Sequence, residues 1–169
     1  MATFDVKGPF RVPTIKLKTG VSVIDEEKNT IRQFWESTDL RDRRGCYVFV
    51  IKAAKGYTPI YVGRATTSRF DTEVLNARNV KNGNLTMAAR YRGALYVFLL
   101  PARKARGKVN GNHIAQVEEY LIGHAARKNK DLINVRLLPS NPWSVAGLVN
   151  AGQGQPPLAV QELKRALGI

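Results

Sequence analysis

The most regular hydrophobic pattern in the chain lies over residues 112–127. There Ile114, Val117, Leu121, Ile122 and Ala125 recur at helical spacing and mark one face. Asn112 suits the N-cap of that helix. Residues 45–51 (GCYVFVI) are apolar, β-branched and aromatic without interruption, which predicts a strand buried on both faces. Residues 59–63 (PIYVG) and 94–100 (ALYVFLL) predict two more, with a hairpin loop over 52–58. Asp25, Glu26 and Glu27 precede Ile31, Phe34 and Trp35, and predict a helix near 25–37. Further helices are predicted over 68–76, with Phe70 and Val74 on one side, and over 85–91, with a loop at 79–84 between them. Residues 158–167 form a short amphipathic helix ended by Gly168. The first twenty residues, punctuated by Gly8, Pro9, Pro13 and Gly20, read as an extended arm or edge strand. Residues 101–112 read as a basic loop, 132–134 as a short extended piece and 141–157 as irregular. The sum is a single α+β domain: a small, mainly antiparallel three-stranded sheet flanked by helices, with N- and C-terminal extensions.

One residue breaks the helical pattern at 112–127. At about 100° per residue, Glu118 falls within the apolar face, four residues after Ile114 and four before Ile122. Its neighbour Glu119 points away. A carboxylate among core residues is costly unless it is paired, hydrogen-bonded or bound to metal. Periodicity leaves two readings open: a rim carboxylate paired with a nearby arginine, or a functional group. His113 and His124 flank the same helix, but they lie eleven apart with no cysteine partners and do not resemble a zinc site.

Charge narrows the class of partner. Lys and Arg number 27 against 13 Asp and Glu, giving a formal net charge of +14. Such an excess favours a polyanion, because each phosphate contact releases condensed counterions. The basic residues also cluster. From Val74 to Val117 there is no acid, while Arg78, Lys81, Arg90, Arg92, Arg103, Lys104, Arg106 and Lys108 all fall there. That stretch is the candidate nucleic-acid-binding surface. Cys46, the sole cysteine, precludes an internal disulfide and reads as a small core residue. No basic segment followed by an apolar core marks a signal peptide, and the longest apolar stretch, 94–100, is too short to span a membrane. The expectation is a soluble, cytoplasmic protein.

Gly45-Cys46-Tyr47 followed by Tyr61-Val62-Gly63 resembles the paired strand motifs of the GIY-YIG nucleases. Arg64 follows the second motif, where the repair nucleases of that family carry a basic residue. Glu118 with Leu121 and Ile122 resembles the family's E-x-x-L-I helix, and Leu132-Ile133-Asn134 resembles the asparagine that closes the domain. These landmarks span 45–134 in the family's order. The flanks GPFRVP, NPWSVAGLV and LKRALGI look like those of stand-alone bacterial or phage members.

The resemblance implies a metal-dependent DNA endonuclease. Tyr47 and Tyr61 would place hydroxyls near one scissile phosphate, and one of them would orient or deprotonate the attacking water. The resemblance does not settle which. Glu118 would hold Mg²⁺ or Mn²⁺, and Asn134 would support the site by hydrogen bonding. Taken singly, Tyr47 and Tyr61 read better as core aromatics and Asn134 as a turn residue; taken together they do not. The family also places an arginine on the helix after the second motif, where this chain has Glu73, and a tyrosine or histidine one turn later, where it has Ala77. Arg64, Arg69 or Arg78 would then supply the missing charge, and Glu73 would be a second metal ligand or the partner of one of them. The alternatives are a GIY-YIG scaffold that binds nucleic acid with cleavage impaired, and a basic RNA-associated protein.

Overall fold

A computed structural model describes residues 2–54, 56–89, 93–103, 109–134, 143–148 and 156–169, with backbone only for 85–89 and 143–144. In chain order the elements are β1 (Ala2–Phe4), β2 (Lys7–Arg11), β3 (Thr14–Lys16), β4 (Ser22–Ile24), α1 (Lys28–Thr38), β5 (Gly45–Ala53), β6 (Gly56–Ala65), α2 (Phe70–Glu73), α3 (Ala77–Ala89), β7 (Ala94–Pro101), α4 (Gly111–Lys128), β8 (Trp143–Val145) and α5 (Leu158–Leu167).

The architecture is α+β, built on an antiparallel sheet in the order β2-β7-β5-β6. The sheet thus has four strands rather than the three expected, because the N-terminal arm supplies an edge strand against β7. β5 lies between two partners, and its first seven residues are buried, as an uninterrupted apolar run requires. Its side chains alternate between two cores. Cys46, Val48 and Val50 pack with Ile114, Val117 and Leu121 of α4 and Val160 and Leu163 of α5. Tyr47, Phe49 and Ile51 face the other way, with Phe34 and Trp35 of α1, Phe70 of α2 and Val80 of α3. The result is a sheet covered by helices on both faces.

The strands run further than their apolar cores. β5 and β6 pair as far as Ala53 with Gly56, so the loop expected over 52–58 is a tight hairpin. A bulge between Phe49 and Val50 sets Pro59, Ile60 and Tyr61 of β6 against only those two residues. α4 begins one residue early, capped by Asn110 rather than Asn112; the Asn110 side chain accepts from the Asn112 amide at 2.9 Å. The helix expected at 68–76 ends at Glu73, and α3 then runs through the loop expected at 79–84. Here tertiary contacts override composition. Asn76 accepts from the Asn79 amide and starts the new helix, while Asn84 accepts from the Ile24 amide at 2.7 Å. No described helix is long and apolar enough to cross a membrane.

Candidate active site

The outer edge of β6 carries the site. Behind it, the chain following α4 returns and closes part of that edge. Asn129 donates to the Pro59 carbonyl at 2.8 Å, and the Ile133 amide donates to the Ile60 carbonyl at 3.0 Å. Asn134 then uses its side chain as a strand would use its backbone: it donates to the Val62 carbonyl at 2.7 Å and accepts from the Val62 amide at 3.3 Å. The short extended piece expected over 132–134 docks in this way without forming a strand.

Beyond that closure lies a polar cleft of about 290 Å³, lined by Tyr47, Tyr61, Arg64, Thr66, Thr67, Ser68, Glu73 and Glu118. Strand pairing brings the two tyrosines to one face: Tyr47 pairs with Gly63, and Tyr61 with Phe49. The ring of Tyr47 lies directly across Gly63, where any Cβ would overlap its outer ring atoms and hydroxyl. Glycine in YVG is thus a packing requirement. From the opposite face, Arg64 reaches Glu118 of α4, its Nη1 at 3.1 Å from Oε2. The Glu118 side chain keeps 16% of its accessible surface and that of Arg64 42%. The carboxylate therefore sits at the wet rim of the apolar face, not in the core.

The two phenols occupy different environments. Tyr47 is 1% exposed, and its hydroxyl accepts from Asn79 at 2.8 Å. Burial pushes its pKa far up, the proximity of Tyr61 adds to this, and the Asn79 bond partly offsets it. Tyr61 is partly exposed at the cleft. Burial raises its pKa too, opposed by a hydrogen bond from Tyr47 and by the positive charge of Arg78. The Asn79 amide thus holds the Tyr47 hydroxyl, and the Tyr47 ring centroid lies 6.1 Å from that of Tyr61.

The arginines sort clearly. Arg64 lines the cleft, and Arg78, exposed on α3, acts on Tyr61 through its field. Arg69 does not line it: it is paired with Asp42 at 2.7 Å and with Asp71 at 3.0 Å. Its place at the start of α2 aims it at the loop before β5. Arg103 is paired with Asp5, at 2.6 Å from Nη2 and 2.8 Å from Nε. Lys81 is exposed on α3. Arg90, Arg92, Lys104, Arg106 and Lys108 lie outside the described residues.

Asn79 and the run Thr66-Thr67-Ser68 complete the site and were missed by the sequence reading of its chemistry, in which Asn79 was a loop residue. Glu73, expected there as a departure from the motif and either a second metal ligand or an arginine's partner, lines the cleft. Three consecutive hydroxyls after β6 were the available signal.

The donor set bears on which metal could bind. Glu118 and Glu73 are the acids lining the cleft, and no three His, Cys, Asp or Glu side chains cluster among the described residues. Such a set suits a hard cation that keeps most of its water, as Mg²⁺ does, and does not suit a closed zinc site. His124 stacks on Tyr120, ring centroids 4.4 Å apart. Cys46 is buried, its thiol donating to the Ile114 carbonyl at 3.2 Å, and burial pushes its pKa up. Comparison with protein-family models, curated proteins and solved structures found no match to this chain.

Proposed function

We propose that the protein is a metal-dependent DNA endonuclease with a GIY-YIG-type site over residues 45–134, acting in the cytoplasm. One observation carries the reading. Tyr61 and Arg64 of β6 line a single polar cleft with Glu118 of α4, which is distant in sequence, and Tyr47 is fixed behind Tyr61. A chance collection of core aromatics and rim charges gives no reason for this convergence.

The roles follow from position. Tyr61, at the solvent side of the phenol pair, orients the attacking water through its hydroxyl. Tyr47, buried and bonded to Asn79, holds Tyr61 in place. Arg64 meets the negative charge of the phosphate; its side of the ion pair with Glu118 stays open to the cleft, so a phosphate can compete for it. Arg78 adds positive potential from α3. Glu118 would hold Mg²⁺ or Mn²⁺, with Glu73 across the cleft, and the ion would supply Lewis acidity toward the leaving oxygen. Asn134 keeps the β6 edge in register.

A plasmid-nicking assay with Mg²⁺ or Mn²⁺ tests this. Wild type is expected to nick only with metal, and Glu118→Ala to abolish nicking. A second reading is favoured by Glu73, an acid in the cleft where the resembled family carries an arginine. DNA binding without cutting under either metal would establish that reading, a nucleic-acid-binding scaffold, and sink the first.

A further inference from the structure

Acid-free, lysine- and arginine-bearing chain is not confined to 74–117. Besides 74–117, residues 6–24 contain no Asp or Glu and carry Lys7, Arg11, Lys16 and Lys18. The fold brings the two together. β3 and β4 pair as an antiparallel ribbon, Thr14 opposite Ile24 and Lys16 opposite Ser22, and β4 packs on α3. The Ile24 amide is held by Asn84, and a Cβ on Gly83 would lie 3.1 Å from the Ile24 side chain.

Leu17, Thr19, Val21 and Val23 of the ribbon line one groove with Ala77, Val80, Lys81 and Asn84 of α3. Glu26 is the acid at that groove. Along α3, Arg78 lies one turn before Lys81 and its charge reaches Tyr61 in the cleft. Positive side chains therefore stand on the ribbon and on the α3 flank beside the candidate active site. Lys16 and Lys18 are exposed, and between and beside them Ile15 and Leu17 stay 48% and 43% exposed. Exposed apolar residues alternate with lysines along β3 and just past it, on the strand of the ribbon whose partner β4 packs on α3.

We infer that the β3–β4 ribbon and α3 form the docking surface for duplex DNA, with the ribbon in a groove and Lys16, Lys18, Arg78 and Lys81 on phosphates. A two-stranded ribbon matches the major groove in width, lysines meet the backbone, and apolar side chains meet base edges such as thymine methyls. The inference deepens the nuclease reading by naming the form of its substrate.

Binding without metal separates the two. A short fluorescent duplex is titrated in EDTA and followed by anisotropy over a range of salt. Lys16→Gln/Lys18→Gln is expected to weaken binding about tenfold or more and to lower the salt slope by about two, one for each lost phosphate contact. Lys128→Gln/Arg165→Gln, on the α4–α5 side of the sheet, serves as the control and should leave both unchanged. The inference is overturned if the ribbon variant keeps wild-type affinity and slope, if the control loses as much, or if single strands or duplex RNA of the same sequence bind at least as tightly. Nicking by a wild type whose binding ignores the ribbon would sink this inference and spare the nuclease reading. Ribbon-dependent duplex binding without nicking would do the reverse.

Discussion

The side-chain amide of Asn79 donates to the hydroxyl oxygen of Tyr47 at 2.8 Å, joining α3 to the centre of the sheet. The same nitrogen lies 2.9 Å from the Glu73 carbonyl and 3.1 Å from that of Val74. Two protons serve three acceptors, so the bonds are shared. Replacing Asn79 by leucine leaves buried acceptors without donors and removes the bond that fixes the inner phenol. Asn79→Leu is expected to lower stability by about 2–3 kcal/mol. A urea midpoint that falls at constant m would bear this out; an unchanged midpoint would show the amide to be dispensable.

The same residue shows why part of the site escaped the sequence. Strand cores and α4 were legible because burial imposes a period on many residues at once: 45–51 reads as buried and proves so, and Ile114, Val117 and Leu121 face the core. The segment between Ser68 and Ala89 was not. Asn79, Asn82, Gly83 and Asn84 have weak helix propensity, and read locally they spell a loop. What makes them helical is distant: Ile24, Tyr47 and the end of α2 each use one of their amide groups. Such partners leave no periodic trace. The fourth strand was half legible, since extension shows in the composition of 7–11 but its partner does not.

Gly63 is a second point where packing sets the site. Gly63→Ala puts a methyl into the ring of Tyr47, and neither β5, paired on both sides, nor β6, held at its outer edge by Asn134, can move easily. The expected cost is about 1–3 kcal/mol, with the Tyr47 hydroxyl displaced from Asn79. Pairing it with Tyr47→Leu should cost less than the sum of the two single changes, since the shorter side chain removes the clash. Additive costs in denaturant melts would mean the strain lies elsewhere.

Alkaline titration reports on the inner phenol. Burial raises the pKa of Tyr47 above the unfolded value of about 10. The folded state therefore prefers the protonated phenol. Its contribution is fully present below pH 10 or so and is lost as pH rises beyond it, at up to about 1.4 kcal/mol per pH unit. Tyr61 is shifted in the same sense. Followed by phenolate absorbance, part of the tyrosine signal should appear only with unfolding, and Tyr47→Phe should reduce that late fraction. A titration in which all phenols ionise near pH 10 with the fold intact contradicts the buried hydroxyl.

On the proposed nuclease reading, arginine substitutions rank the candidates for the charge that Glu73 does not provide. Arg64 borders the cleft, and losing a cation that stabilises charge on the phosphate costs on the order of a hundredfold in rate. Arg78 acts from α3 on Tyr61, so Arg78→Ala should slow nicking less than Arg64→Ala. Arg69 holds Asp42 and Asp71 at the surface, and Asp71 keeps Arg41 at 2.9 Å without it. Arg69→Ala is therefore expected to nick within about twofold of wild type, at a stability cost near or below 1 kcal/mol. Single-turnover nicking rates for the three variants, normalised to folded fraction, decide the order. If Arg69→Ala falls as far as Arg64→Ala, the surface pairs must open in the working enzyme and the assignment of charge to Arg64 fails.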